Sequence, residues 1–224
     1  MMVTLQLSPS ILTADFSRLG EEIQGVAPYV NWFHLDVMDG HYVSNLTFGR
    51  SVVEAVRASC DLPLHVHLMV SEPHGFVDEF AAAGATRISF HPEVTSDPSE
   101  VIAAIQAAGS GAGLAVRPGS LLHFVADYLH ELQVVLMMTV EPGFGGQAFL
   151  EHVVPKIMEA RKLLRDEGAV ADLEVDGGIK LTTLDRTVAA GANIVVAGSA
   201  IFDGVNAPAA ARAFRARLDD LGRR

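Results

Sequence analysis

The sequence predicts an α/β fold, a TIM (β/α)8 barrel. Short apolar or β-branched runs alternate with helical patterns along the whole chain, eight of each, and no low-complexity linker separates them. A length of 224 residues accommodates eight such units with no inserted domain, so residues 1–224 are read as a single barrel domain. An open doubly wound sheet is the alternative arrangement of the same alternation.

Taken in order, strands are expected near Leu5 to Ile11, Trp32 to Val37, Leu64 to Met69, Arg87 to Phe90, Gly113 to Val116, Val134 to Val140, Asp172 to Val175 and Ile194 to Ala197. The helical patterns between them cover Arg18 to Ala27, Arg50 to Ala58, Pro73 to Ala83, Pro98 to Ala108, Leu121 to Leu129, Leu150 to Glu167 and Leu181 to Ala190, with Ala207 to Leu221 closing the chain. Start and stop signals agree: Ser99 and Glu100 fall in an early turn, Gly84 and Gly109 lie just past helix ends, and Pro155 sits within the first turns of its helix.

Half of the residues are hydrophobic and 19% are charged, which supplies a large core and gives no sign of disorder. The formal net charge of -11 argues against nucleic acid or a membrane surface as the main partner, because both reward basic patches. An anionic small molecule would need local compensation. Cys60 is the one cysteine, which excludes an intrachain disulfide and a cysteine zinc cluster and suits a reducing cytoplasm. Met1 to Gln6 lacks the basic region and long apolar core of a signal peptide, and no run reaches membrane-spanning length, so an unexported chain is expected.

In a barrel, chemistry collects at the C-terminal ends of the strands. Side chains alternate with period two, so His34 and Asp36 share a face of the second strand. His67 lies near the end of the third strand with His65 one layer below, and Asp176 ends the seventh. His34, Asp36, His67 and Asp176 can therefore converge at one mouth, and two imidazoles with two carboxylates suit zinc, manganese or iron(II). Burying His34 and Asp36 without a partner or a metal would cost several kcal/mol. His91, His123, His130 and His152 are read as hydrogen-bonded core histidines rather than ligands. Two strands end in glycines, at Gly177-Gly178 and at Gly198-Ser199, and each is followed by a helical pattern, an arrangement that brings backbone amides to an anion. Pro142-Gly143-Phe144-Gly145-Gly146, after the sixth strand, has the composition of an anion-cradling lid.

Several stretches together resemble the ribulose-phosphate 3-epimerase family: Ser8-Pro9-Ser10-Ile11-Leu12, His34-Leu35-Asp36-Val37-Met38-Asp39-Gly40-His41, Asn45-Leu46-Thr47-Phe48-Gly49, His67-Leu68-Met69, Met138-Thr139-Val140-Glu141-Pro142-Gly143-Phe144-Gly145-Gly146-Gln147, Val175-Asp176-Gly177-Gly178 and Ala197-Gly198-Ser199-Ala200-Ile201-Phe202. The likeness runs from about Leu7 to Gly204. It implies a metal-dependent isomerase of the pentose phosphate pathway that interconverts D-ribulose 5-phosphate and D-xylulose 5-phosphate by proton transfer at C3 through a cis-enediolate. It further implies one divalent ion per subunit, zinc first with iron(II) or manganese as alternatives, held by His34, Asp36, His67 and Asp176. Asp36 and Asp176 would be the catalytic acid and base. Ser10, His67 and Asp176 would touch the sugar, and Gly143, Phe144, Gly145, Gly146, Gly177, Gly178, Gly198 and Ser199 would hold its chain and phosphate. Met38, Met69 and Met138 match methionines lining the family's site, whereas the residues alone favour core packing. A phosphorylated ketose is the expected partner, and a homo-oligomer, dimer or hexamer, the expected assembly.

Four positions depart from the family pattern. His65 stands where an aspartate is usual, which removes a carboxylate that could orient a ligand imidazole. Arg117 replaces an asparagine, and Ser44 and Arg50 replace prolines around Asn45 to Gly49. Arg117 is expected either to reach a phosphate or to pair with an acid. These changes leave open a related substrate such as allulose 6-phosphate. A metal-dependent hydrolase would lack a histidine pair on the first strand, and a non-catalytic phosphosugar sensor would gain little from two acids around a labile C–H.

Overall fold

The structure, a computed structural model, describes residues 4–223, so the reading made on Met1 to Gln6 lies outside it at Met1, Met2 and Val3. The described strands are β1 (Gln6–Pro9), β2 (Phe33–Met38), β3 (Leu64–Met69), β4 (Arg87–Phe90), β5 (Gly111–Val116), β6 (Val134–Met138), β7 (Asp172–Asp176) and β8 (Ile194–Ala197). They form one parallel sheet in the order β1-β8-β7-β6-β5-β4-β3-β2, with helices between them. The sheet curls into a nearly closed barrel, which rules out the open doubly wound alternative. Its ends meet where Ser10, just past β1, bridges His34 of β2, and where the N–H groups of Asn31 and Trp32 donate to the Leu7 carbonyl at 2.9 and 3.3 Å.

The strand pattern separates two cores. Leu35, Val37, Val66, Leu68, Leu173 and Val175 point outward and pack with helix residues such as Ile23, Val53, Ile105, Ile157 and Phe214. The alternate residues fill the barrel. One side of that interior is apolar, a cluster of Ala115, Leu136, Met138 and Val140. The other is polar: His34, Asp36, His65, His67, Ser89, His91 and Glu174 are all buried. At the lower end Arg87 pairs with Asp172 at 2.6 Å, its guanidinium 4.2 Å from the Trp32 ring centroid.

The outer helices are α1 (Leu19–Val26), α2 (Arg50–Ser59), α3 (Val77–Ala82), α4 (Pro98–Ala107), α5 (His123–Ala126), α6 (Val154–Asp166), α7 (Leu181–Ala189) and α8 (Ala207–Gly222). Three are shorter than the sequence pattern suggests. Pro73–Phe76 and Glu151–Val153 are 3-10 turns leading into α3 and α6. The expected helix from Leu121 to Leu129 shrinks to four residues: buried Leu122, Val125 and Leu129 supply a helical period, but Tyr128 and Glu131 donate to carbonyls three residues back, and the stretch is rich in weak helix formers. Asp97 caps α4 by accepting from the Ser99 N–H at 3.0 Å. No helix among the described residues is long and apolar enough to cross a membrane.

Candidate active site

The register places the metal-ligand candidates at one level. Asp36 of β2 is paired with His67 of β3, and Asp176 closes β7 across the barrel. One ligand atom from each of His34, Asp36, His67 and Asp176 lies within 4.8 Å of the others. His34 Nε2 is 3.3 Å from Asp36 Oδ1 and 4.0 Å from Asp176 Oδ2, His67 Nδ1 is 3.0 Å from Asp36 Oδ1, and the Ser10 hydroxyl donates to Asp36 Oδ2 at 2.6 Å. His34 Nε2 is fully buried and makes no hydrogen bond. An unpartnered imidazole nitrogen facing two carboxylates is a donor set that fits a divalent ion.

The electrostatics split the two aspartates. Burial opposes ionisation of Asp36, but the His34 and His67 imidazoles overcome it and hold its carboxyl well below the usual range. Burial, reinforced by the Asp36 charge, pushes Asp176 up to about 8. Burial also opposes protonation of His34, yet Asp36 and Glu174 hold its pKa well above the ordinary imidazole value. His67 is shifted down, chiefly by burial.

Above this cluster opens a cleft lined by Ser10, Asp36, Met38, Met69, Met138, Gly143, Phe144, Gly145, Gly146, Asp176, Gly177, Gly178, Gly198 and Ser199. His34 and His67 lie beneath its floor, fully buried. The three methionines are 2% exposed, so they are core residues that also face the cleft. The glycine loop is tied down: Asn45 Nδ2 donates to the Gly143 carbonyl at 3.0 Å, and Gln147 Nε2 donates to the carbonyls of Glu141 and Phe144 at 2.7 and 2.9 Å. Gly178 has φ +64, and a Cβ there would stand 2.7 Å from the Phe149 Cα and closer still to its backbone nitrogen. Its glycine is required by this backbone approach as well as by the cleft.

Three contributors were not legible as such. Glu174 of β7 accepts from His34 Nδ1 at 3.0 Å and from His65 Nδ1 at 2.8 Å. The carboxylate thought missing at position 65 is thus supplied from another strand. His91 is fully buried with Nε2 3.0 Å from His67 Nε2, whereas His123, His130 and His152 are exposed. Lys180 is the one lysine or arginine lining the cleft among the described residues. It follows directly on Gly177-Gly178-Ile179, which is the signal that could have found it. Of the departures from the family pattern, Arg117 pairs with Glu141 at 3.0 Å, Arg50 pairs with Glu54 at 2.7 Å, Ser44 is exposed, and none of the three lines the cleft.

Comparisons with known proteins place the chain as a whole. Residues 6–202 match the model of the ribulose-phosphate 3 epimerase family. A protein of Mycobacterium leprae named ribulose-phosphate 3-epimerase is 43% identical over 212 residues, 94% of each chain. One of the same name from Bacillus subtilis is 44% identical over 201 residues, 88% of this chain and 92% of its own. Among solved structures, KGPDC from Streptococcus mutans superposes with a TM-score of 0.74, covering 97% of this chain and 99% of its own at 15% identity, a likeness of fold.

Proposed function

The chain belongs to the ribulose-phosphate 3-epimerase family, and on that premise we propose a catalytic barrel that interconverts D-ribulose 5-phosphate and D-xylulose 5-phosphate by moving the C3 proton. The observation that carries the mechanism is that Asp36 of β2 and Asp176 of β7 both face the cleft, from different strands of the barrel. Inverting a carbon beside a ketone needs a base on one face and an acid on the other, and two carboxyl groups brought to one cleft from separate strands are such a pair. Asp36 takes the C3 proton on one face and Asp176 delivers one to the opposite face, the roles reversing in the return direction. Ser10 holds Asp36 by its hydrogen bond, and the methionines exclude water from the cis-enediolate.

His34, Asp36, His67 and Asp176 would hold a single divalent ion, zinc first among zinc, iron(II) and manganese. Such an ion supplies electrostatic stabilisation of the negative charge that develops on the substrate oxygens. The substrate phosphate is assigned to Gly146, Gly178, Gly198 and Ser199 with Lys180 as counter-charge, and its binding energy holds C3 between the aspartates. Because Ser44, Arg50 and Arg117 stand away from the cleft, they give no support to a six-carbon substrate. A homo-oligomer, dimer or hexamer, in a reducing cytoplasm completes the reading, supported by family membership and the single Cys60.

Proton NMR of metal-loaded protein with D-ribulose 5-phosphate in deuterated water tests this. The expected product is D-xylulose 5-phosphate carrying deuterium at C3, with formation lost on chelation and in Asp176→Asn, which should still bind the phosphate. Turnover in that variant near the wild-type rate would refute the acid/base assignment.

A further inference from the structure

We infer that Glu174, clamped by His65, is the positioning residue that turns His34 toward the metal, an inference that rests on the metal-dependent reading above. Glu174 is 1% exposed and uses both oxygens: Oε1 accepts from His34 Nδ1 and Oε2 from His65 Nδ1. A carboxylate can only accept, so both imidazoles must carry a proton on Nδ1. That fixes the His34 tautomer and leaves its Nε2, the atom without a hydrogen-bond partner, facing Asp36 and Asp176.

The rest of the layer is arranged to hold the clamp. His65 Nε2 is 2.6 Å from the Ser89 hydroxyl, which can donate to it and so keep the proton of His65 on Nδ1. Ser89 fits because its neighbour on β5 is Gly113, where a Cβ would run into the Ser89 hydroxyl oxygen. Three strands and a missing side chain on a fourth therefore converge on one carboxylate that does not line the cleft. Contact with substrate does not account for such an arrangement; orientation of the ligand imidazole does. His67 is backed differently, by the neutral ring of His91.

The test compares wild type, Glu174→Gln and Glu174→Met by chelator competition for zinc and by the visible spectrum of the cobalt(II)-substituted protein, with metal-free melting curves showing that each is folded. The amide of Glu174→Gln can still accept from His34 and donate to His65 once His65 moves its proton to face Ser89, so geometry survives and charge is lost. Zinc binding should weaken about 10-fold in Glu174→Gln and about 100-fold in Glu174→Met, the latter with an altered cobalt spectrum. Zinc affinities of both variants within about twofold of wild type would overturn the inference. Should Glu174→Met not fold, Glu174→Ala takes its place in both measurements, because it too removes the acceptor that orients His34. A wild-type protein that binds no metal defeats the metal-dependent reading itself, an outcome distinct from equal binding by all three.

Discussion

Asp176 and His34 make the metal-free protein sensitive to alkali. Both have folded-state pKa values raised above their ordinary ones, Asp176 from 3.8 to about 8 through burial and the Asp36 charge. A raised pKa means that the folded state binds the proton more tightly than the unfolded chain. The stability it gives is complete below the unfolded value and lost as pH climbs through the folded one. Asp36 and Glu174, shifted down, act only at the acid end. His65, His67 and His91, shifted down by burial, give the opposite slope below their ordinary imidazole value, so the melting temperature of the metal-free protein is expected to fall only between about pH 7 and pH 9, and Asp176→Asn should flatten part of the fall. A wild-type melting temperature that holds or rises across that window would contradict the assignment.

At the scale of the element, the connection after β7 depends on close backbone contact. A Cβ on Gly178 would stand 2.7 Å from the Phe149 Cα, while Gly146, with φ +78, has open space around it. Gly178→Ala should lower stability by roughly 3 kcal/mol, or about 10 °C in melting temperature, and Gly146→Ala by about a third of that. Equal losses measured by thermal unfolding would show that the left-handed backbone, rather than the contact, sets the cost. The strands were legible because each apolar run was bounded by turn residues and because period two assigned His34, Asp36 and His67 to one side. The helix from Leu121 to Leu129 was not, since a hydrophobic period says where a side chain is buried and not how many residues form each turn. Glu174 shares the parity of Asp176, which the sequence displays, but its imidazole partners are 140 and 109 residues away and leave no trace in local spacing. His91 is the hydrogen-bonded core histidine expected, but its contact with His67 was hidden for a related reason: only the pairing of His67 with Ser89 brings the residue just past β4 against that ring.

Over the whole molecule the polar residues are not scattered through the interior. They occupy the side of the barrel where the sheet ends meet, and the apolar cluster occupies the other. The meeting of β1 and β2 has no ladder like the four paired positions between β1 and β8: it rests on the Ser10–His34 bridge, the two backbone bonds to the Leu7 carbonyl, and the side-chain bonds Leu7 N–H to Asn31 Oδ1 and Trp32 Nε1–H to Gln6 Oε1. Hydrogen exchange should therefore report faster opening at the β1–β2 junction than within the β5–β6 pair, and zinc should slow it there more than elsewhere. Zinc protection spread evenly over all eight strands would sink the idea. The residues that close the ring are also the ones that hold Asp36 through Ser10 and face the candidate metal site through His34. The barrel is thus fastened like a clasp at its one thin join, and the pin of that clasp is the proposed site: on that reading, whatever loosens the hoop also disarms the reaction.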